Sequence, residues 1–80
     1  MTPETMEEMT CQELRDRIAS AIRAWLDEEG VSARALSRAL GMSSAAACRW
    51  TTGRSLPRTY ELRCLCEHTG LSADDLLGLR

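Results

Sequence analysis

Four glycines set the frame of this chain. Gly30, Gly41, Gly53 and Gly70 lie 11 to 17 residues apart, which is one helix and a turn at each step. Glycine tolerates the left-handed backbone with which helices commonly end. The stretches between them are well supplied with helix formers: the 80 residues include 11 Leu and 10 Ala but only three Val and Ile together. Those β-branched residues are the ones that fill a pleated surface. The expected class is therefore all-α, a compact bundle of five helices. One domain is all the length allows, and its core is too small to enclose a large active-site cleft.

Caps sharpen the reading. Residues 1–9 carry no periodic signal and are expected to form a disordered acidic arm, with the domain proper at 10–80. Thr10 followed by Glu13 is a capping box, in which hydroxyl and carboxylate satisfy opposing backbone donors. It opens a helix over 11–28 with Leu14, Ile18, Ala21, Ile22 and Trp25 on one stripe. Leu14 and Ile18 need cover, from Leu76, Leu77 and Leu79 or from a second subunit. Ser32 caps a second helix ending near Leu40, with Ala35, Leu36, Ala39 and Leu40 inward and Arg34 and Arg38 outward. Ser43 caps a third over 44–52, with Ala47 and Trp50 inward. Residues 54–58 form a loop in which Pro57 biases Leu56 away from helix. A fourth helix over 58–69 places Leu62, Leu65, Cys66 and Thr69 on one side. Ser72 and Asp75 open a short fifth helix through Leu76, Leu77 and Leu79.

The net charge of −2 conceals a segregation. Residues 1–29 sum to −5, residues 30–63 to +5 and the remainder to −2, and every basic residue is Arg. Arginine presents a planar fork that matches phosphate oxygens and guanine edges. The acidic start is no secretory signal, and no stretch approaches the ~20 apolar residues of a membrane span. A cytoplasmic protein with free thiols is expected, with no membrane partner. Cys48 and Cys66 are expected in the core and Cys11 and Cys64 partly exposed. On a helix Cys64 and His68 are one turn apart but Cys66 projects away, so the three cannot chelate one metal together. No metal, cofactor, catalytic group or small-molecule substrate is expected, because the sole histidine has no evident partner and there is no phosphate-binding glycine loop.

Two short helices joined by Gly41-Met42-Ser43 make a helix-turn-helix arrangement. Over residues 22–77 the chain resembles the Cro/cI-type, or XRE-like, helix-turn-helix family. The resemblance is carried by Gly30-Val31-Ser32, Leu36, Leu40-Gly41-Met42-Ser43, Arg49-Trp50, Gly53, Leu56-Pro57, Leu62, Leu65 and Gly70-Leu71-Ser72-Ala73-Asp74-Asp75-Leu76. It implies a lambda-repressor-like fold and a sequence-specific transcriptional regulator of phage or prokaryotic type. Such a protein binds a palindromic double-stranded operator as a homodimer, with its third helix in the major groove. It implies base reading by Ser44, Ala45 and Arg49, with Ser43 and Ala46 at the margin. It implies phosphate contacts from Arg38, Thr52, Arg54 and Arg58, and from Ser32 and Ala33 at the second helix's amino end. Four phosphates neutralised per subunit of a dimer would give a salt slope of about −7.

This chain departs from the family pattern at three positions. Ala33 stands where a glutamine usually touches phosphate, and Leu26 and Thr51 replace a buried arginine–glutamate pair. Replacing both partners strands no charge. The alanine-rich third helix and the acidic total also fit a second reading, a protein–protein interaction module that keeps the helix-turn-helix fold without binding DNA.

Overall fold

The first helix starts where two backbone donors find side-chain acceptors. Thr10 Oγ1 accepts from the Glu13 amide at 3.1 Å, and Glu13 Oε1 accepts from the Thr10 amide at 2.9 Å. The computed structural model describes residues 9–79. In order these form α1 (Cys11–Glu29), α2 (Ala33–Ala39), α3 (Ala46–Thr51), α4 (Thr59–Thr69) and α5 (Ala73–Leu77). Among the described residues there is no strand, so the class is all-α as expected. The expected acidic arm lies outside the described residues except for Met9, as does Arg80.

α1 buries Ile18, Ala19, Ile22 and Leu26, with Leu14, Ala21 and Trp25 half-buried beside them. These positions recur at three- and four-residue steps and form one face. Against that face lie Leu36 of α2, Ala46, Ala47 and Trp50 of α3, Leu65 of α4 and Leu76 of α5. Fully burying an aliphatic or aromatic side chain contributes roughly 1.5–3 kcal/mol. This single cluster accounts for the core. Leu76 covers the α1 stripe from within the chain, and the Arg17 guanidinium donates to the Asp75 carbonyl at 2.9 Å on the same contact. Leu79, expected to help cover that stripe, is instead 66% exposed. Gly78 ends α5 in the left-handed region and directs the chain outward after one turn of helix.

α2 is capped as expected, Ser32 Oγ accepting from the Ala35 amide at 3.0 Å, but its inward face differs. Leu36 and Ser37 are buried and Ala33 and Leu40 half-buried, whereas Ala35 and Ala39 are exposed. The spacing 33, 36, 37, 40 is a regular helix face, and it carries a serine at its centre. Ser37 has a physical reason to be there. Its Oγ donates to the Ala33 carbonyl at 3.1 Å and accepts from the Ala47 amide of α3 at 2.8 Å.

That bond also explains the start of α3. The helix expected from residue 44 with the Ser43 hydroxyl as its cap starts instead at Ala46 and has no side-chain cap. Residues 44 and 45 are a turn, Ala45 stands at the cap position without a side-chain cap, and Ser43 contributes its carbonyl to the Ala46 amide at 3.0 Å. The connection from α2 to α3 therefore spans 40–45, longer than the three residues expected. One of the amide donors that a helix start leaves unpaired is satisfied from across the interface by Ser37.

The loop after α3 turns at Gly53, whose φ of +73° suits glycine and disfavours other residues. A Cβ there would also crowd α1, lying 3.0 Å from Asp16 Oδ1, so that carboxylate would have to give by a few tenths of an ångström. α4 then opens at Arg58, whose amide donates to Glu61 Oε1 at 2.8 Å. Replacing Ser37 with alanine would leave the buried Ala47 amide without an acceptor. We expect Ser37→Ala to lower unfolding free energy by about 1–3 kcal/mol in urea titration. A change below a few tenths would show that the bond does not hold α2 to α3.

Candidate nucleic-acid interface

α3 has two faces of opposite character. Ala46, Ala47, Trp50 and Thr51 are buried, while Ala45, Cys48, Arg49 and Thr52 are exposed. The exposed set has the three- and four-residue spacing of one helical face. Its inner side is held at both ends by main-chain bonds. Ser37 accepts from the Ala47 amide near the amino end, and the Arg23 guanidinium of α1 donates to the Thr51 carbonyl at the carboxyl end. A cation at a helix carboxyl terminus also complements the helix dipole.

Of the residues expected to read bases, Ser43, Ser44, Ala45 and Arg49 are exposed. Ser43 and Ser44 belong to the turn before α3. Ala46 is corrected: it is 2% exposed and packs in the core beside Ala47, so it cannot meet a base edge. Cys48 is corrected in the opposite sense, an exposed thiol on the outer face and not a core group. Cys11 is exposed as well, and Cys64 and Cys66 are half-buried.

The residues expected to touch phosphate fall into two groups. Arg38, Arg54 and Arg58 are exposed at the end of α2, in the loop after α3 and at the start of α4. Arg49 and Arg58 line one groove of about 340 Å³ with Trp50, Ser55, Leu56 and Glu61. Arg54 adjoins it through its amide, which donates to the Arg49 carbonyl at 3.0 Å. The remaining three are differently employed. Thr52 Oγ1 donates to the Cys48 carbonyl at 2.9 Å, which occupies its only proton. Ser32 Oγ caps α2, and Ala33 is half-buried against the core with no polar side-chain atom.

Ser55 and Glu61 were not singled out from the sequence as groove residues. Glu61 brings a carboxylate among the arginines, and its position three residues after Arg58 marks it as a partner of the cap amide. Arg63 and Glu67 pair at 3.4 Å on the exposed side of α4, a contact expected to contribute little.

Cys64 and His68 each face another neighbour. The His68 ring meets Trp25 of α1 edge-on, centroids 6.1 Å apart at 63°. The Cys64 side chain, with smaller contributions from burial and Glu61, holds the exposed Tyr60 phenol above its ordinary range. Among the described residues no three His, Cys, Asp or Glu side chains converge on one point, and no helix is long and apolar enough to cross a membrane. Compared with known protein families, curated proteins and solved structures, the chain matches none.

Burial pushes the Cys66 thiol up from its ordinary pKa, which reduces the reactive thiolate at mildly alkaline pH. Iodoacetamide at pH 8 is expected to modify the exposed Cys11 and Cys48 first and Cys66 last, as followed by peptide mass mapping. Labelling of Cys66 as fast as Cys48 would contradict the burial described here.

Proposed function

We propose that this chain is a sequence-specific DNA-binding transcriptional regulator, acting in the cytoplasm of a prokaryotic cell without catalysing a reaction. In this reading α2 and α3 form a helix-turn-helix of the Cro/cI type, α3 enters the major groove, and a homodimer reads the two halves of a palindromic operator. A repressor that blocks polymerase by occupying its site is the simplest mechanism consistent with a domain of this size. The observation that supports it best is the exposed face of α3 carrying Arg49, with Arg58 lining the same groove and Arg54 joined through its amide to the Arg49 carbonyl.

The chemistry of each group suits a separate task. Arg49 can donate two bonds to guanine O6 and N7, worth about 1–3 kcal/mol of discrimination. Ala45 offers a methyl to a thymine methyl, and the turn residues Ser43 and Ser44 can donate or accept at the groove's edge. Arg38, Arg54 and Arg58 supply phosphate contacts that fix orientation without reading sequence. Three such contacts per subunit give a dimer a slope of about −5 for log K against log salt. Dimerisation follows from half-site geometry, because one domain of this kind buries too little DNA for tight specific binding. Leu79 and Met9, at the α5 end of α1, are two of the four large apolar side chains exposed among the described residues and could join two copies.

The protein-interaction reading has one observation in its favour. Besides Arg49, the outer face of α3 offers only Ala45, Cys48 and the internally bonded Thr52. A partner protein could use so small and smooth a face.

Selection from random duplexes separates the two readings. The wild-type chain should enrich a two-fold symmetric site and retard it in a salt-sensitive manner. Arg49→Ala combined with Arg54→Ala should weaken retardation by about tenfold or more. No enriched sequence, or equal retardation by the double variant, would remove the DNA reading. Sedimentation showing monomer both with and without the selected duplex would remove the dimer.

A further inference from the structure

We propose that the groove lined by Arg49 and Arg58 binds a small hydroxyl-bearing phosphomonoester, of the sugar phosphate class, and that this ligand competes with DNA for Arg49. The binding rests on the groove itself, whereas the competition rests on the DNA reading given above.

The groove has a fixed side and a charged rim. Trp50 lies in the core and Leu56 packs against it, so that side is apolar and held in place by packing. Arg49 and Arg58 are exposed, and Ser55 and Glu61 are half-buried. Among the described residues the one ion pair joins Arg63 to Glu67, so no described carboxylate neutralises Arg49 or Arg58. Two guanidiniums lining one concavity concentrate positive potential there.

The chemistry of the lining narrows the ligand. A carboxylate has one charge and two oxygens, which a single guanidinium satisfies as a bidentate pair. A phosphomonoester carries about −1.5 to −2 charge at pH 7 and three acceptor oxygens, enough for both guanidinium forks and for the Ser55 hydroxyl as a further donor. Glu61 sets what stands at the other end of the ligand. Its Oε1 accepts from the Arg58 amide at 2.8 Å, which holds the carboxylate in place and leaves Oε2 for another donor. A ligand hydroxyl can meet that oxygen, whereas a second phosphate beside it would be repelled. The volume, about 340 Å³, is at the low end of the roughly 300–1,000 Å³ of ligand pockets, which favours a molecule the size of one sugar ring with its phosphate.

Occupancy has a consequence for α3. Arg49 is the one charged group on its outer face. A bound phosphate holds that guanidinium at the groove and adds negative charge beside the surface a nucleic-acid backbone would approach. DNA binding then falls as the ligand rises.

The test titrates ribose 5-phosphate, inorganic phosphate and ribose into the full chain at fixed ionic strength, following arginine Nε–Hε resonances. Ribose 5-phosphate should shift Arg49 and Arg58 and bind about tenfold or more tighter than inorganic phosphate, and ribose should shift neither. Arg58→Ala should weaken ribose 5-phosphate about tenfold or more. Arg34→Ala removes the same charge from the exposed side of α2, outside the groove, and should leave affinity unchanged. Unmoved resonances, equal affinity for the two phosphates, or equal weakening by both variants overturns the proposal and leaves an adventitious ion only. A short mixed-sequence duplex is then bound to the wild-type chain before ligand is added. Release by ribose 5-phosphate but not by ribose upholds the competition, and duplex retained at saturating ligand overturns it. Groove binding by a chain that retards no duplex upholds the site and removes the DNA reading.

Discussion

A single hydroxyl joins the two short helices on which the candidate interface depends. Ser37 Oγ donates to a carbonyl of its own helix and accepts from the Ala47 amide of α3, wholly shielded from water. A helix of six residues has little stability of its own, since nucleation is costly and each added residue contributes one bond. α3 therefore exists because its inner face is packed and its first turn is met by a group on its neighbour. With Ser37 in place, Ala46, Ala47, Trp50 and Thr51 face the core, and the opposite face is left for other contacts.

Much of the fold is legible in the sequence because the signals are local. Thr10 with Glu13, Ser32, Ser72 and the glycines at 30, 41, 53 and 70 act within one turn of chain, and each does what its chemistry dictates. The inner face of α2 is not legible in the same way. Counting alanine as inward and serine as outward puts Ala35 and Ala39 in the core and Ser37 in water, whereas the fold does the reverse. The partner that makes a buried serine acceptable lies ten residues on, in another helix. The start of α3 is obscured for the same reason, because Ser43 resembles a cap and the donor is satisfied from elsewhere.

The candidate site divides along similar lines. Arg38, Arg49, Arg54 and Arg58 are exposed as their charge requires, so their placement follows from composition and helix phase. Ala46 and Cys48 are misplaced because α3 is too short for its apolar period to be read, and alanines at 45, 46 and 47 fit any phase. Tertiary packing by Trp50 chooses among them. Thr52 shows a further limit: its hydroxyl is exposed, yet the helix end it bonds to holds its proton.

The two bonds that mount α3 on the body of the protein end on main-chain atoms, the amide of residue 47 and the carbonyl of residue 51. Neither inspects a side chain on the outward surface. Positions 45, 48, 49 and 52 can accordingly be exchanged while the scaffold beneath keeps its grip, so the make-up of the outward face and foldability are separable in this molecule. A scaffold of this kind can acquire new preferences by a few substitutions at its tip without renegotiating its interior.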